Sequence, residues 1–308
     1  MCCLFGLYDY GQSLSAKQKS RIISALAVAA EARGTDAAGI AYLSGSHLSI
    51  YKRPLPAHRL RFRIPATANV VMGHTRMTTQ GSSHRNYNNH PFYGQIGIEG
   101  FALAHNGVLR NDHSLQAQKK LPVSKIETDS YVIVQLLEQA GKLDLQTLGA
   151  ISELLRGSFT YTVLDSHARL FIVRGNNPFC LYHFPAQGIY VYASTKEILN
   201  AALRKFRKHI PFGRFEEVAV KEGEILRLST DGIRKTQTFS LDFLFPSSAY
   251  FPMYFGSFFQ GSFGADSYIR ELKNVAGAFG YLPEDVDDLL ADGFTPEEIE
   301  ECFYEGFL

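Results

Sequence analysis

The residue with the most chemistry to offer is Cys2. It follows Met1 and is small enough for the initiator to be trimmed, which would leave a cysteine as the first residue of the mature chain. An amino-terminal cysteine carries a nucleophile and a base together, the thiol and the free α-amine. The amine titrates at about 7.7–8.0, against about 8.5 for a thiol and about 10.4 for lysine. Near neutrality it is therefore a fitting proton acceptor for its own side chain, where a lysine would need a large shift. A Met-Cys start is common by chance, so Cys2 needs companions before it means anything.

The companions are segments in which polar residues stand at the ends of short apolar stretches. They are Cys2-Cys3-Leu4-Phe5-Gly6, Arg33-Gly34-Thr35-Asp36-Ala37-Ala38-Gly39, Gly73-His74-Thr75-Arg76-Met77-Thr78-Thr79-Gln80-Gly81, His105-Asn106-Gly107 and Glu127-Thr128-Asp129-Ser130. In this order and at these intervals they resemble the class II glutamine amidotransferases, the glutaminase domains with an N-terminal nucleophile. Asn88-Asn89-His90-Pro91 and Arg156-Gly157-Ser158-Phe159 are similar to further family segments, and the resemblance covers residues 2–230.

The resemblance implies a set of roles. Cys2 attacks the side-chain amide of glutamine, forming a γ-glutamyl thioester and releasing ammonia, while its α-amine relays the proton and then activates water. Asn106 (through its amide) and Gly107 (through its backbone N–H) form the oxyanion hole; the bland reading of that pair is an Asn-Gly turn. Arg76 grips the substrate α-carboxylate as a bidentate guanidinium. Asp129 holds the α-ammonium, although an acid there also suits the start of a helix. Thr79 and Arg33 shape the pocket. His74, His90 and His105 are structural hydrogen-bonding residues, because this chemistry needs no metal and no cofactor. The departures are Cys3 where the family has Gly, Met77 where the glucosamine-phosphate synthase branch has Trp, and Gln80 where it has His.

A chain of 308 residues, 45% hydrophobic, can bury a large core as one big domain or two smaller ones. A formal charge of +1 calls for neither nucleic acid nor a membrane surface, and no run of 18 apolar residues is present. Cys2, Cys3, Cys180 and Cys302 show no metal-ligand spacing, and so few thiols suit a reducing, cytoplasmic setting.

These residues have to be positioned by strands and helices. Residues 3–8 read as an apolar strand. Residues 15–34 read as an amphipathic helix, capped by Ser15 with Gln18 and stopped by Gly34, or as a loose signal-peptide pattern behind Lys17, Lys19 and Arg21; the helix is favoured. A hairpin is expected over 39–43 and 48–53, and buried strands over 70–75 and 101–105. Two helices follow, one after Asp129 ending at Gly141 and one from Leu145 to Gly157. Strands over 158–164, 169–174, 179–184 and 189–193, a short helix over 197–204 and one or two strands within 216–228 close the series. Too few crossovers are present for a doubly wound sheet, so sheets stacked face to face with helices outside are expected. With the family resemblance this becomes an α+β, four-layer α/β/β/α sandwich of two mostly antiparallel sheets, plus a short helical C-terminal tail.

The domain organisation expected is an amidotransferase type 2 domain over 2–242, an aromatic, Gly/Ser-rich linker over 243–267, and an acidic helical tail over 268–308. Ten acidic and no basic residues follow Lys273, so a chain of charge +1 divides into +11 up to that point and −10 after it. That tail is either a solvated acidic face or a docking element for a basic surface. No sugar-isomerase duplication, phosphoribosyl-pyrophosphate loop or adenylating Ser-Gly-Gly segment is visible. The expectation is thus a stand-alone glutaminase subunit that takes L-glutamine and passes ammonia to a separate synthase. An independent hydrolase of γ-glutamyl compounds and an inactive binding protein on the same fold are the alternatives.

Overall fold

In the computed structural model, residues 2–207, 213–232, 234–241, 269, 273, 276, 282–296 and 299 are described. The expected linker, 243–267, and most of the tail lie outside them. Two compact units divide the chain, Met1–Phe245 and Pro246–Leu308.

In the first unit, β1 (Cys3–Asp9) is buried along its whole length. A strand sealed on both faces reads as a continuous apolar run, which is how residues 3–8 read. It pairs with β4 (Ala68–Arg76) and β10 (Ile189–Ala193). Beyond β4 lie β2 (Ala37–Ser44) and β3 (His47–Arg53); beyond β10 lie β9 (Cys180–Phe184) and β11 (Glu216–Glu217). The second sheet runs β13 (Arg234–Thr238), β12 (Glu224–Leu228), β8 (Leu170–Arg174), β7 (Gly157–Asp165), β6 (Glu99–Leu109) and β5 (Phe92–Ile96). All these pairings are antiparallel.

Alternation along β1 shows the layering. Cys3, Phe5 and Leu7 share a core with Ile22, Ile23 and Leu26 of α1 (Ala16–Ala30) and Leu199 and Leu203 of α5 (Lys196–Phe206). Leu4 and Tyr8 face the other way, into a core built with Ala102 and Ala104 of β6 and Leu164 of β7. A third core joins the far side of β6 and β7 to α3 (Tyr131–Ala140) and α4 (Leu145–Ser152). The order is helix, sheet, sheet, helix: the α+β four-layer sandwich. A short α2 (Asp112–Lys119) follows β6.

The stretch that read two ways is α1. Ser15 Oγ accepts from Gln18 N–H at 3.4 Å, and Gln18 Oε1 accepts from Ser15 N–H at 2.9 Å. Its buried face holds Lys19 as well as Ile22, Ile23 and Leu26; that ammonium meets the buried Asp9 carboxylate at 3.2 Å and donates to the carbonyls of Ala66 and Ala68. Two expected stops are corrected. α1 ends at Ala30 and passes into a 3-10 turn, while Gly34 is extended (φ 171°) and lets the chain lie against Arg76, where a Cβ would meet the Arg76 carbonyl carbon at 2.5 Å. α4 ends at Ser152, and Gly157 opens β7. The strand expected at 101–105 is the eleven-residue β6.

In the second unit, α6 (Pro283–Ala291) begins with proline in its first turn, and Leu282 N–H donates to Asp285 Oδ2 at 2.6 Å. Ala276, Val286 and Ile299 form a small core with Leu289 and Leu290, and Lys273 pairs with Asp287 at 2.6 Å.

Candidate active site

β1, β4 and β6 position Cys2, Arg76, Asn106 and Gly107, while Arg33, Thr79 and Asp129 come from turns; the charges of Arg76 and Asp129 both act on the Cys2 thiol. Cys2 immediately precedes β1, and its thiol donates to the Met77 carbonyl at 3.4 Å. Arg33 Nε donates to the Cys2 carbonyl at 2.9 Å, fixing that residue's backbone from the turn after α1. Burial pushes the Cys2 thiol up, against the pull of the Met77 hydrogen bond and the Arg76 charge. The thiol is therefore not a standing thiolate, and it needs a base when it reacts. Cys3, the departure from the family pattern, points to the opposite side of the strand, fully buried against the α1 layer.

Arg76 ends β4 and is 2% exposed. A buried guanidinium must have its N–H groups satisfied. Here Nη1 donates to Asn89 Oδ1 at 2.7 Å, and Nη2 donates to the carbonyls of Gln80 and, at 3.3 Å, Gly81. All three acceptors are neutral, and no ion pair involves Arg76 among the described residues. The cation thus sits in a cradle of dipoles, with its charge uncompensated at contact range. Thr79 lies half-buried on the bend between Arg76 and Gly81.

Asp129 lies in the turn before α3, beside β6 of the second sheet, and is 4% exposed. Its carboxylate does not cap α3. Oδ2 accepts from Leu109 N–H at 2.6 Å, and Oδ1 from Ser130 Oγ at 3.2 Å. Burial outweighs these donors and raises the carboxyl from 3.8 to about 6.

Asn106 and Gly107 lie on β6, three and two residues before Leu109. Gly107 adopts φ +141°, and a Cβ there would stand 2.0 Å from the Ser158 carbonyl, so this position has room for glycine alone. Asn177 Nδ2 donates to the Asn106 carbonyl at 2.9 Å. In a trans peptide the carbonyl and the next N–H point opposite ways, so Asn177 also fixes the direction of the Gly107 N–H. Asn106 Nδ2 donates to Ser194 Oγ at 3.4 Å, and Leu4 N–H donates to that same oxygen at 2.8 Å. Ser194 ties the oxyanion-type donor to the strand that carries Cys2.

Sequence reasoning missed Ser194, Asn177 and the role of Gln80. Gln80 joins both charged residues: its carbonyl accepts from Arg76, and its Oε1 accepts from Asp129 N–H at 3.2 Å. Glu127 adds a second tie, since its carboxylate accepts from Asn88 Nδ2 at 2.8 Å and from Arg85, while Glu127 N–H donates to Asn88 Oδ1 at 3.0 Å. Only the departure of Gln80 from the family pattern offered a signal for any of these. His74, His90 and His105 are buried: His74 Nε2–H donates to the His105 carbonyl at 2.9 Å, His105 Nδ1 meets Ser130 Oγ at 2.8 Å, and the His74 and His90 rings stand 4.2 Å apart. Burial lowers His74 to about 3 and His105 to about 4, and holds His90 well below its usual value. They are neutral supports. Among the described residues no cluster of three His, Cys, Asp or Glu side chains could hold a metal, and no helix is long and apolar enough to cross a membrane.

A family model described as class II glutamine amidotransferases matches residues 15–205, a span that includes Arg33, Arg76, Asn106, Gly107 and Asp129. The chain is 29% identical over 244 residues to the glutamine–fructose-6-phosphate aminotransferase (isomerizing) of Staphylococcus aureus, covering 75% of this chain and 38% of that protein. It is 30% identical over 187 residues to the Helicobacter pylori protein of the same name, covering 57% and 30%. Among solved structures, the glutamine phosphoribosylpyrophosphate amidotransferase of B. subtilis, complexed with ADP and GMP, superposes with a TM-score of 0.60 at 20% identity, over 78% of this chain and 50% of that one. That likeness concerns the fold. The chain spans well under two thirds of the length of these relatives.

Proposed function

The chain belongs to the class II glutamine amidotransferases, and from that premise we propose that it hydrolyses the side-chain amide of L-glutamine through Cys2 and delivers the ammonia to an acceptor enzyme on another chain. The observation that carries this reading is the meeting of a thiol, a buried uncompensated cation, a buried anion and a pair of oxyanion-type donors. The cation and anion suit the α-carboxylate and α-ammonium of one free amino acid, and so select it over an amide within a protein.

The steps follow from the groups in place. Removal of Met1 turns the Cys2 nitrogen from an amide into an amine. That amine takes the thiol proton as sulfur attacks the glutamine Cδ, and the oxyanion forms against Asn106 Nδ2 and Gly107 N–H. Collapse passes the proton to the departing nitrogen, releasing ammonia and leaving a thioester. Water then loses a proton to the same amine and attacks, giving glutamate and the free thiol. Arg76, Asp129, Thr79 and Arg33 bind or shape. No cofactor enters. Free Cys2, Cys3 and Cys180 suit a reducing cytoplasm, and the acidic second unit suits docking to a basic surface of the acceptor.

The test is ammonia release from L-glutamine by purified protein, with intact mass measured on the same sample. Cys2→Ala should lose turnover to background while melting as the wild type does, and the active protein should be lighter by one methionine. Turnover in Cys2→Ala, or activity with Met1 retained, would refute the mechanism.

A further inference from the structure

Lys52 does something that its place on an edge hairpin does not require. It lies on β3, in register with Gly39 of β2, which in turn is in register with His74 of β4. The three form one row across the first sheet. Gly39 leaves a gap in that row, and the backbone of residues 89–91 fills it: a Cβ on Gly39 would stand 2.3 Å from the His90 carbonyl and 2.7 Å from Lys52 Cβ. Lys52 reaches over the gap, and its ammonium donates to the carbonyls of Asn89 and, at 3.0 Å, Pro91. The Lys52 carbonyl accepts from Asn86 Nδ2 at 3.0 Å. One residue thus holds both ends of the 86–91 segment.

That segment matters because of Asn89. It is fully buried, its Nδ2 donates to the Ser83 carbonyl at 2.8 Å, and its Oδ1 is the acceptor for Arg76 Nη1 at 2.7 Å. The path runs from the Lys52 ammonium through the Asn89 backbone to the Asn89 amide and so to the guanidinium. We propose that Lys52 and Asn89 are positioning residues that fix the orientation of Arg76 for the carboxylate of the substrate. This rests on the glutaminase reading only for the identity of the carboxylate. Neither residue touches the reacting amide, so their influence falls on substrate affinity.

The ammonium has no carboxylate partner among the described residues. The charged or titratable groups around it are Arg76 and His74 from β4 and His90 from the clamped segment, beside the Phe92 ring 5.0 Å away. Burial, with the Arg76 charge, lowers Lys52 to about 8. Both imidazoles are neutral and Arg76 stays charged near that pH, so the clamp itself loses its charge there.

The decisive measurement pairs two substrates with four proteins. Wild type, Lys52→Met, Lys52→Arg and Asn89→Asp are assayed with L-glutamine and with its α-carboxamide, and calorimetry follows L-glutamate binding, which needs no turnover. Lys52→Met should raise KM for glutamine about 10- to 100-fold, the size of one charge-assisted hydrogen bond, with kcat within about threefold. Asn89→Asp, which sets a carboxylate on Arg76 in competition with the ligand, should do at least as much. Neither should alter kcat/KM for the carboxamide. Wild-type KM for glutamine should climb above about pH 8, and Lys52→Arg, always charged, should flatten that limb. Equal losses on both substrates, or L-glutamate affinity unchanged in Lys52→Met and Asn89→Asp, would overturn the proposal. A wild type that binds L-glutamate with this dependence but releases no ammonia would sink the glutaminase reading and leave the brace standing.

Discussion

Arg76 and Asp129 are the two charged ends of the proposed site, and the protein holds them in opposite ways. Arg76 has an oxygen for each terminal nitrogen, and although burial lowers it, a guanidinium remains charged throughout the working range. Asp129 has two donors and is still raised to about 6, close to where an enzyme works. The cation is braced and permanent. The anion is costly and conditional, and is relieved when a ligand ammonium arrives. Desolvating an ion without a counter-charge is what makes a site bind its partner, and both ions here are desolvated, the cation on β4 and the anion in the turn before α3.

In the proposed reaction the amide that reacts lies between these ends and touches neither. Replacing Asn106 with alanine should therefore lower kcat by about 10²–10³-fold, the usual loss for one oxyanion donor, with KM for glutamine nearly unchanged. A change confined to KM would move Asn106 from the reacting end of the site to the anchoring end. Because Asn106 also donates to Ser194, a melting curve on the variant separates loss of the donor from loosening of β1.

The anchors themselves should part company when each is neutralised. Arg76→Met and Asp129→Asn should each raise KM by about 30-fold or more, as losing one member of a buried charge pair does. Their stabilities should move in opposite directions. Arg76→Met strands the buried Asn89 oxygen, which costs about 1–3 kcal/mol, and leaves the part-buried Gln80 and Gly81 carbonyls without it at a smaller cost. Asp129→Asn keeps an oxygen for Leu109 N–H and removes the buried charge. A carboxyl raised from 3.8 to about 6 carries a penalty on the order of 3 kcal/mol when ionised, so the variant should melt higher than wild type at pH 7. If Asp129→Asn melts lower there, the carboxylate is already compensated and the contrast between the anchors fails.

What the sequence made legible follows the same division. Cys2, Arg76, Asn106, Gly107 and Asp129 stand in short motifs at strand ends, where one local segment carries type and place together. The supports do not. Lys52 reads as an ordinary polar residue of the hairpin 47–53, and nothing local says that its ammonium will lie over residues 89–91. Ser194 and Asn177 act on residues 71 or more positions away in the chain. The layers were legible because β1 and β10 are strong apolar runs and β7 alternates Phe159, Tyr161 and Val163 with threonines. β13, Arg234–Thr238, is polar throughout and gains its place by pairing with β12. β5 holds Gly94 and the exposed Tyr93, so its alternation is broken where a reader needs it.

The smallest effect is the most specific to Asp129. Its folded value is raised above 3.8, so the ionised form is penalised by folding; the penalty is full above about pH 6 and gone below about pH 4. The melting gap between Asp129→Asn and wild type should therefore be widest near pH 7–8 and close on acidification. Buried His74, His90 and His105 work the other way: their folded values are depressed, the unfolded chain takes up their protons below about 6.5, and both proteins lose stability in acid. That loss is common to the pair and cancels in the gap. In the same window wild-type KM for glutamine should rise below pH 6 by at most about tenfold for each further pH unit, as Asp129 takes the proton that the ligand ammonium requires it to lack. KM for Asp129→Asn, already high, should stay level. A wild-type KM flat from pH 7 to 5 would place the ammonium somewhere other than Asp129, and with it the counter-charge on which the difference between the two anchors depends.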